Sequence, residues 1–257
     1  MKQVRFARRA ACLALAFTLS VTLISCGRTL PASATYGYED DARPALDPEK
    51  PMIALTFDDG PSIHTPRLLD LFAEYGGRGT FCVIGNRIDL LPDTVVRTVA
   101  EGHELAVHSW DHCQLTRLGK KQMQEEIETT RKKIFELTGD NCTVIRPTYG
   151  AVNDTLKRVA KELDMIIVNW SVDTLDWKTR DPDGIYKRIM DGAENGAIIL
   201  CHDLYGTTVD AMERVIPDLV AEGYQLVTVT ELLTAGERTV EAGTLYRKQG
   251  PKPEESE

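Results

Sequence analysis

Two histidines, His108 and His112, stand four residues apart at the end of an apolar run, and their spacing could do metal chemistry. On a helical turn, this spacing directs both imidazole rings to one side, where they could bind an ion such as zinc. By itself the pair is more typical of a structural or surface role. Asp59 follows another apolar run and would complete a set of three protein ligands. Two imidazoles and one carboxylate leave positions open for water and substrate, as catalytic metal sites do.

Two adjacent aspartates, Asp58 and Asp59, need separate explanations because neighbours in an extended strand point to opposite faces. They could serve one site only where the strand ends, and Gly60 and Pro61 supply a turn at that point. One carboxylate could then bind the metal while the other accepts a proton from an activated water molecule. A turn without any chemical role is the alternative interpretation.

A further histidine, His202, ends another apolar run and could protonate a leaving group. An acidic partner would orient its ring and raise its pKa, and Asp173 and Asp176 near the adjacent run are the candidates. Arg146 could orient Asp58 through a charge-assisted hydrogen bond. The alternatives are a hydrogen-bonded histidine at a strand end and an ordinary surface ion pair.

The elements that must position these residues alternate regularly from Pro51 onward. Apolar, β-rich runs are separated by segments with helical spacing, of which 120–137 is the clearest. The alternation predicts an α/β fold with a mainly parallel sheet, either open or closed into a barrel. In both folds, sites form at the C-terminal ends of strands, where the polar residues above lie. The predicted strands are 52–57, 79–84, 104–108, 142–146, 165–172, 197–201 and 225–229.

Composition narrows the function classes. The 257 residues are 42% hydrophobic, which is enough for a sizeable core, and the formal net charge is -9. Such an acidic chain is a poor partner for nucleic acid, whereas sugars are not excluded. Beyond the N-terminal segment there are four cysteines and no Cys-x-x-Cys pair, which argues against a thiolate zinc site. We expect free thiols at Cys82, Cys113, Cys142 and Cys201.

The N-terminal 26 residues predict export. A basic start precedes an apolar stretch too short for a comfortable membrane span, and residues 23–26 read Leu-Ile-Ser-Cys. This ending resembles a bacterial lipoprotein signal peptide (residues 1–26), so we expect a lipid anchor at Cys26 on the outer side of the cytoplasmic membrane. Secretion without an anchor is the alternative. Residues 27–50 predict a flexible tether, and the charged residues 234–257 predict a disordered tail.

Five segments resemble, in order, the motifs of the polysaccharide deacetylases, the NodB-homology domain of carbohydrate esterase family four. They are TFDDGP (56–61), HSWDH (108–112), RPTYG (146–150), DTLDW (173–177) and LCH (200–202). The resemblance spans residues 51–233 and implies a distorted (β/α) barrel of about seven parallel strands. It also implies a divalent metal, commonly zinc with cobalt or another ion as alternatives, and the removal of acetyl groups from sugar polymers.

The resemblance implies a role for each residue that matches a motif. Asp58 becomes the catalytic base, and Arg146 steadies it. His202 becomes the general acid, tuned by Asp176 in preference to Asp173. The Tyr149 backbone N–H would stabilise the oxyanion. The implied metal ligands are Asp59, His108 and His112, and the implied substrate contacts are made by Tyr149, Trp177 and Leu200.

The predicted function is metal-dependent hydrolysis of the N-acetyl groups of GlcNAc-type sugars in a polysaccharide. Peptidoglycan is the favoured polymer because an outward-facing lipoprotein meets the cell wall first. Chitooligosaccharide, exopolysaccharide and acetylxylan are alternative substrates. A further hypothesis is a different metal amidohydrolase on the same barrel, acting on a small cyclic amide or amidine. A catalytically inactive sugar-binding lipoprotein is the alternative of another class. We expect a monomer.

Overall fold

A computed structural model describes residues 45–250 of the chain. The predicted signal peptide, its Cys26 anchor and most of the predicted tether lie outside these residues and stay predictions. Within 45–250, no helix combines the length and the apolar character that crossing a membrane requires.

The described residues form one curled sheet whose strand pairings are all parallel. The strand order is β6-β7-β1-β2-β3-β4-β5-β9, with β8 paired to the start of β1. The predicted α/β class and distorted barrel are therefore confirmed as a half barrel of parallel strands. The strands are β1 (Met52–Gly60), β2 (Thr80–Val83), β3 (Glu104–Val107), β4 (Val144–Ile145), β5 (Ile166–Val168), β6 (Val172–Asp173), β7 (Ile198–His202), β8 (Gln225–Leu226) and β9 (Leu245–Tyr246).

Helices connect the strands, as the sequence predicts. Several begin at a residue whose side chain accepts backbone N–H groups, such as Asn153, which accepts from Leu156, and Thr228, which forms a capping box with Glu231. The helices are α1 (Thr65–Tyr75), α2 (Pro92–Ala100), α3 (Lys120–Thr138), α4 (Asp154–Glu162), α5 (Asp176–Thr179), α6 (Pro182–Gly192), α7 (Gly206–Ala221) and α8 (Val229–Thr234).

Both faces of the sheet are buried. Along β1, Ile53, Leu55 and Phe57 pack in a large cluster with the helices, whereas Met52 and Ala54 belong to a second cluster that also includes residues of α8. A strand covered on both faces reads as a continuous apolar run, not as an alternating one. The same packing makes β1, an inner strand that pairs with β2, β7 and β8, a rigid support for the aspartates near its C-terminal end.

One predicted strand, 165–172, is divided between opposite ends of the sheet. Its first part is β5, which pairs with β4, and its last part is β6, which pairs with β7. Between them, the Asn169 N–H donates to the Tyr246 carbonyl and the Ser171 N–H donates to the Ile198 carbonyl. The chain therefore crosses the gap between the two edges, so the sheet is a half barrel with nine strands rather than seven in the described region.

The predicted tail and tether were wrong where the structure describes them. In the tail, β9 pairs with β5, and Leu245 and Tyr246 pack against the two core clusters. This pair covers a sheet edge that would otherwise expose unpaired backbone groups, but two apolar residues among charges give no strand signal. In the tether, Asp47 exchanges two hydrogen bonds with the Gln225 amide, and Leu46 packs against the second core cluster, so this part of the segment is attached to the fold. The four cysteines are free thiols, as predicted.

The edge strand β9 gives a stability prediction. Leu245→Asp places a charge against the core cluster and should lower the free energy of unfolding by about 1–3 kcal/mol. Urea denaturation of the purified protein measures the change. Thr239→Asp, in the same segment at an exposed position, is the control and should change it by less than about 0.5 kcal/mol. Equal effects of the two substitutions would contradict a packed tail.

Candidate active site

The strand ends bring the predicted site residues to one edge of the sheet. Because β1 and β7 are parallel and in register, Asp58 pairs with His202. His108 follows β3 directly, and Arg146 follows β4. A cavity of about 420 Å³ opens at this edge, and we call it the strand-end cavity. It is lined by Asp58, Asp59, His108, His112, Tyr149, Trp170, Asp173, Trp177, Leu200 and His202.

The three predicted metal ligands meet in this cavity, and we call them the Asp-His-His group. The Asp59 Oδ1 atom lies 3.3 Å from His108 Nε2 and 3.0 Å from His112 Nε2. One ligand atom from each of the three residues lies within 4.8 Å of the other two. Such spacing permits all three to reach a single ion.

Hydrogen bonding shows that this group fits a cation. The His108 Nδ1 atom lies 2.7 Å from the Arg146 carbonyl oxygen, so a neutral ring carries its proton on Nδ1 and presents an Nε2 lone pair to Asp59. Asp59 Oδ1 is buried and has no hydrogen-bond donor. Acceptor atoms that face one another repel, and a divalent cation between them would satisfy all three residues.

The pKa of the Asp59 carboxyl also reflects the two rings. Burial alone would raise this pKa, but the His108 and His112 rings, which in their protonated form donate to the carboxylate and add positive charge, outweigh burial and hold it well below its ordinary value. The carboxylate is therefore ionised at every pH at which the protein would work. An ionised, buried oxygen is the state that metal binding requires.

The histidine pair does not lie on a helical turn, so that part of the prediction was wrong. Residues 108–113 form a loop in which Ser109 has φ 60° and His112 has φ 65°. The segment after β2 stabilises this loop, since the backbone N–H groups of Gly85 and Asn86 donate to the carbonyls of Ser109 and Trp110. The tight contact is possible because Gly85 has no side chain; a Cβ atom at this position would collide with the Trp110 ring. The i, i+4 spacing therefore pointed to the correct two histidines, although they lie on a loop and not on a helical turn.

Asp58 is held by a buried guanidinium. Arg146 Nη1 donates to Asp58 Oδ1 at 2.8 Å, and the two side chains are 1% and 4% exposed. Arg146 Nε also donates to the Val168 carbonyl at 2.7 Å, and Nη2 donates to Thr56 Oγ1 at 3.1 Å. The alternative of a surface ion pair is therefore excluded. The carboxylate of Asp58 is fixed in one orientation toward the strand-end cavity.

His202 pairs with Asp176 and not with Asp173. The Nδ1–H of His202 donates to Asp176 Oδ1 at 2.8 Å, while the other Asp176 oxygen accepts from the His202 backbone N–H and from Thr208. Burial lowers the pKa of His202, but the hydrogen bond and the charge of Asp176 raise it by more than burial lowers it, to about 9. Asp173 instead accepts from the Leu175 N–H. His202 is thus protonated at neutral pH and lines the cavity.

The predicted substrate contacts differ in exposure. Tyr149 and Trp177 are 67% and 47% exposed, whereas Leu200 is 3% exposed. Sequence reasoning missed Trp170, which also lines the strand-end cavity and packs 5.5 Å from the Arg146 guanidinium. Its position between β5 and β6 was a signal, because an aromatic residue just after a strand lies at the edge where sites form.

Comparisons with known proteins agree with this geometry. The family model described as polysaccharide deacetylase matches residues 45–168. Peptidoglycan-N-acetylmuramic acid deacetylase PdaC of Bacillus subtilis is 42% identical over 188 residues, which cover 73% of this chain and 40% of that protein. Peptidoglycan-N-acetylglucosamine deacetylase PgdA of Listeria monocytogenes is 43% identical over 181 residues, which cover 70% of this chain and 38% of that protein.

Solved structures extend the likeness to the fold. A structure of PdaC superposes with a TM-score of 0.70 and 41% identity, covering 73% of this chain and 92% of the solved chain. A family 4 acetyl xylan esterase from Clostridium thermocellum, solved with a cobalt ion, has a TM-score of 0.72 and 29% identity, covering 77% of this chain and 98% of that one. This chain belongs to the polysaccharide deacetylase family. It spans about two fifths of the length of the curated relatives PdaC and PgdA.

The buried pair generates a second stability prediction. Arg146→Met leaves the Asp58 carboxylate buried without its partner and should lower the free energy of unfolding by about 3–5 kcal/mol. Chemical denaturation measures the loss. Arg158→Met, on the exposed face of α4, is the matched control and should cost less than about 0.5 kcal/mol. A loss below about 1 kcal/mol for Arg146→Met would show that water reaches the pair.

Proposed function

We propose that this chain is a metal-dependent deacetylase that removes N-acetyl groups from GlcNAc-type sugars of a polysaccharide, with peptidoglycan as the favoured substrate. The observation that carries the proposal is the meeting of the Asp-His-His group with a fixed carboxylate, Asp58, and a protonated histidine, His202, in one cavity. Hydrolysis of an amide needs all three functions: polarisation of the carbonyl, removal of a proton from water and protonation of the leaving nitrogen.

Each residue then has a defined task. A divalent ion held by the Asp-His-His group would supply Lewis-acid chemistry to the acetyl carbonyl and to water; zinc is proposed, with cobalt as an alternative. Asp58, oriented by Arg146, accepts the proton of the attacking water. His202, oriented by Asp176, donates its proton to the departing nitrogen. The Tyr149 backbone N–H would donate to the carbonyl oxygen as negative charge develops there.

The proposed substrate contacts follow from the lining of the cavity. Leu200 is buried and apolar, which suits the methyl of an acetyl group. Trp177 and Tyr149 are exposed aromatic residues beside it, and their faces suit the apolar surfaces of sugar rings. The exposure of these two aromatic rings favours a polymer over a small cyclic amide.

The choice of peptidoglycan has two supports. The names of PdaC and PgdA both refer to peptidoglycan, although one refers to N-acetylmuramic acid and the other to N-acetylglucosamine. The proposed lipid anchor at Cys26 would also hold the enzyme on the outer side of the cytoplasmic membrane, next to the cell wall. An inactive sugar-binding lipoprotein is the second candidate, but it would need neither a fixed base nor a protonated acid.

Acetate release tests the function directly. With added zinc or cobalt, the purified protein should release acetate from peptidoglycan in preference to chitooligosaccharide and acetylxylan. Asp58→Asn should lower kcat at least about a hundredfold because the general base is lost, yet keep its metal, as measured by elemental analysis. No acetate from any substrate would support the sugar-binding candidate. Loss of metal from Asp58→Asn would contradict the separate roles of the two aspartates.

The pH profile tests the proposed acid. Because His202 must be protonated to act, activity should fall as pH rises through the pKa of His202, which is about 9 in the chain alone and lower beside a bound cation. Asp176→Asn removes the interaction that raises this pKa and leaves burial, which lowers it. The alkaline limb of kcat/KM should therefore move to lower pH. Asp173→Asn, which does not contact His202, is the control, and an equal shift in both variants would refute the pairing.

A further inference from the structure

A second cavity adjoins the strand-end cavity, and we call it the Arg117 cavity. It has a volume of about 620 Å³ and is lined by His112, Cys113, Gln114, Arg117, Leu118 and Tyr149. It shares His112 and Tyr149 with the strand-end cavity. A polymer bound across the strand-end cavity can therefore place a neighbouring unit in the Arg117 cavity. Residues that line only the Arg117 cavity could then contribute to substrate choice without touching the reacting amide.

Charge distinguishes this second cavity. Arg117 supplies its one permanent positive charge, in a chain whose formal net charge is -9. Arg117 takes part in no ion pair within residues 45–250. Asp111 and Glu126 lie near the Cys113 thiol, but neither lines the cavity. By contrast, carboxylates pair with several other arginines, namely Arg67, Arg78, Arg97, Arg146 and Arg214.

The backbone that carries Arg117 is held in place. It ends a short 3-10 turn, Leu115–Arg117, whose Leu115 side chain is buried in the core. The Arg117 N–H donates to the Gln114 carbonyl, and Asn153 donates to the Thr116 carbonyl at 3.3 Å. Arg117 is thus an exposed residue on a fixed backbone, and it lines the cavity. Its planar fork can donate two parallel hydrogen bonds to a carboxylate.

We propose that the Arg117 cavity is a subsite for a carboxylate carried by the polymer, and that Arg117 makes the enzyme prefer anionic acetylated glycans to neutral ones. This inference rests on the proposed deacetylase function and specifies its substrate class. Chitin-type polymers carry no carboxylate. Peptidoglycan glycan carries one on every second sugar, as a free lactyl group or, where a peptide is attached, as the carboxylates of that peptide. An arginine beside the reacting sugar therefore attracts a peptidoglycan glycan electrostatically, but not a chitin-type polymer.

Steady-state kinetics on three substrates tests the proposal. They are a neutral chitin oligomer, a peptide-free muramic acid glycan with free lactyl carboxylates, and the same glycan with its peptides. Arg117→Gln should raise the KM for a carboxylate-bearing glycan relative to the KM for the neutral oligomer by about three- to tenfold at low salt. Added salt should shrink the wild-type preference. The glycan that loses its advantage identifies the source of the carboxylate.

The control is Arg188→Gln, which removes the same charge from the exposed face of α6 and lines neither cavity. It should leave the KM ratio unchanged. An unchanged ratio in Arg117→Gln, or equal weakening with all three substrates, would overturn the subsite. If the wild type released no acetate at all, the proposed function would fail separately. Calorimetric titration of the same glycans into the zinc-loaded protein would then still decide whether Arg117 selects the carboxylate.

Discussion

The buried guanidinium of Arg146 is the interaction on which the rest of the site depends. Its side chain joins Asp58 and Thr56 on β1 to the Val168 carbonyl of β5, and its own carbonyl accepts the Nδ1–H of His108. One residue therefore orients the proposed base and directs the His108 lone pair toward Asp59. A desolvated cation of this kind is tolerated because each of its three nitrogens has an acceptor, so the site and the curled sheet stabilise each other.

The two histidines at the ends of β3 and β7, His108 and His202, differ because of what their Nδ1 atoms contact. A neutral carbonyl accepts from His108, which leaves Nε2 suited to a metal ion. A buried carboxylate, Asp176, accepts from His202, which favours the charged ring and suits proton donation. The partner of Nδ1 thus decides whether the Nε2 atom of a histidine is suited to bind a metal ion or to donate a proton.

Much of the fold could be predicted because strands buried on both faces and amphipathic helices leave periodic patterns. The helix that begins at Lys120 is an example. The division of the predicted strand 165–172 into β5 and β6 could not be predicted, because a change of hydrogen-bond partner from β4 to β7 does not alter the pattern of apolar residues. The edge strand Leu245–Tyr246 was missed for a related reason: two residues are too few to show a period, and their stability comes from β5.

The sequence by itself determined the residue types, the order of the five motifs and their places after strands, and so the family and the chemistry available to it. Only the tertiary structure decided which groups meet. It placed Asp176 against His202, a pairing that the family resemblance implied but the spacing left open between Asp173 and Asp176. It also replaced the helical turn at His108 and His112 by a loop with left-handed residues and placed Arg117 beside the site. The physical reason is that contacts between distant segments depend on strand order and loop conformation, to which no local pattern is sensitive.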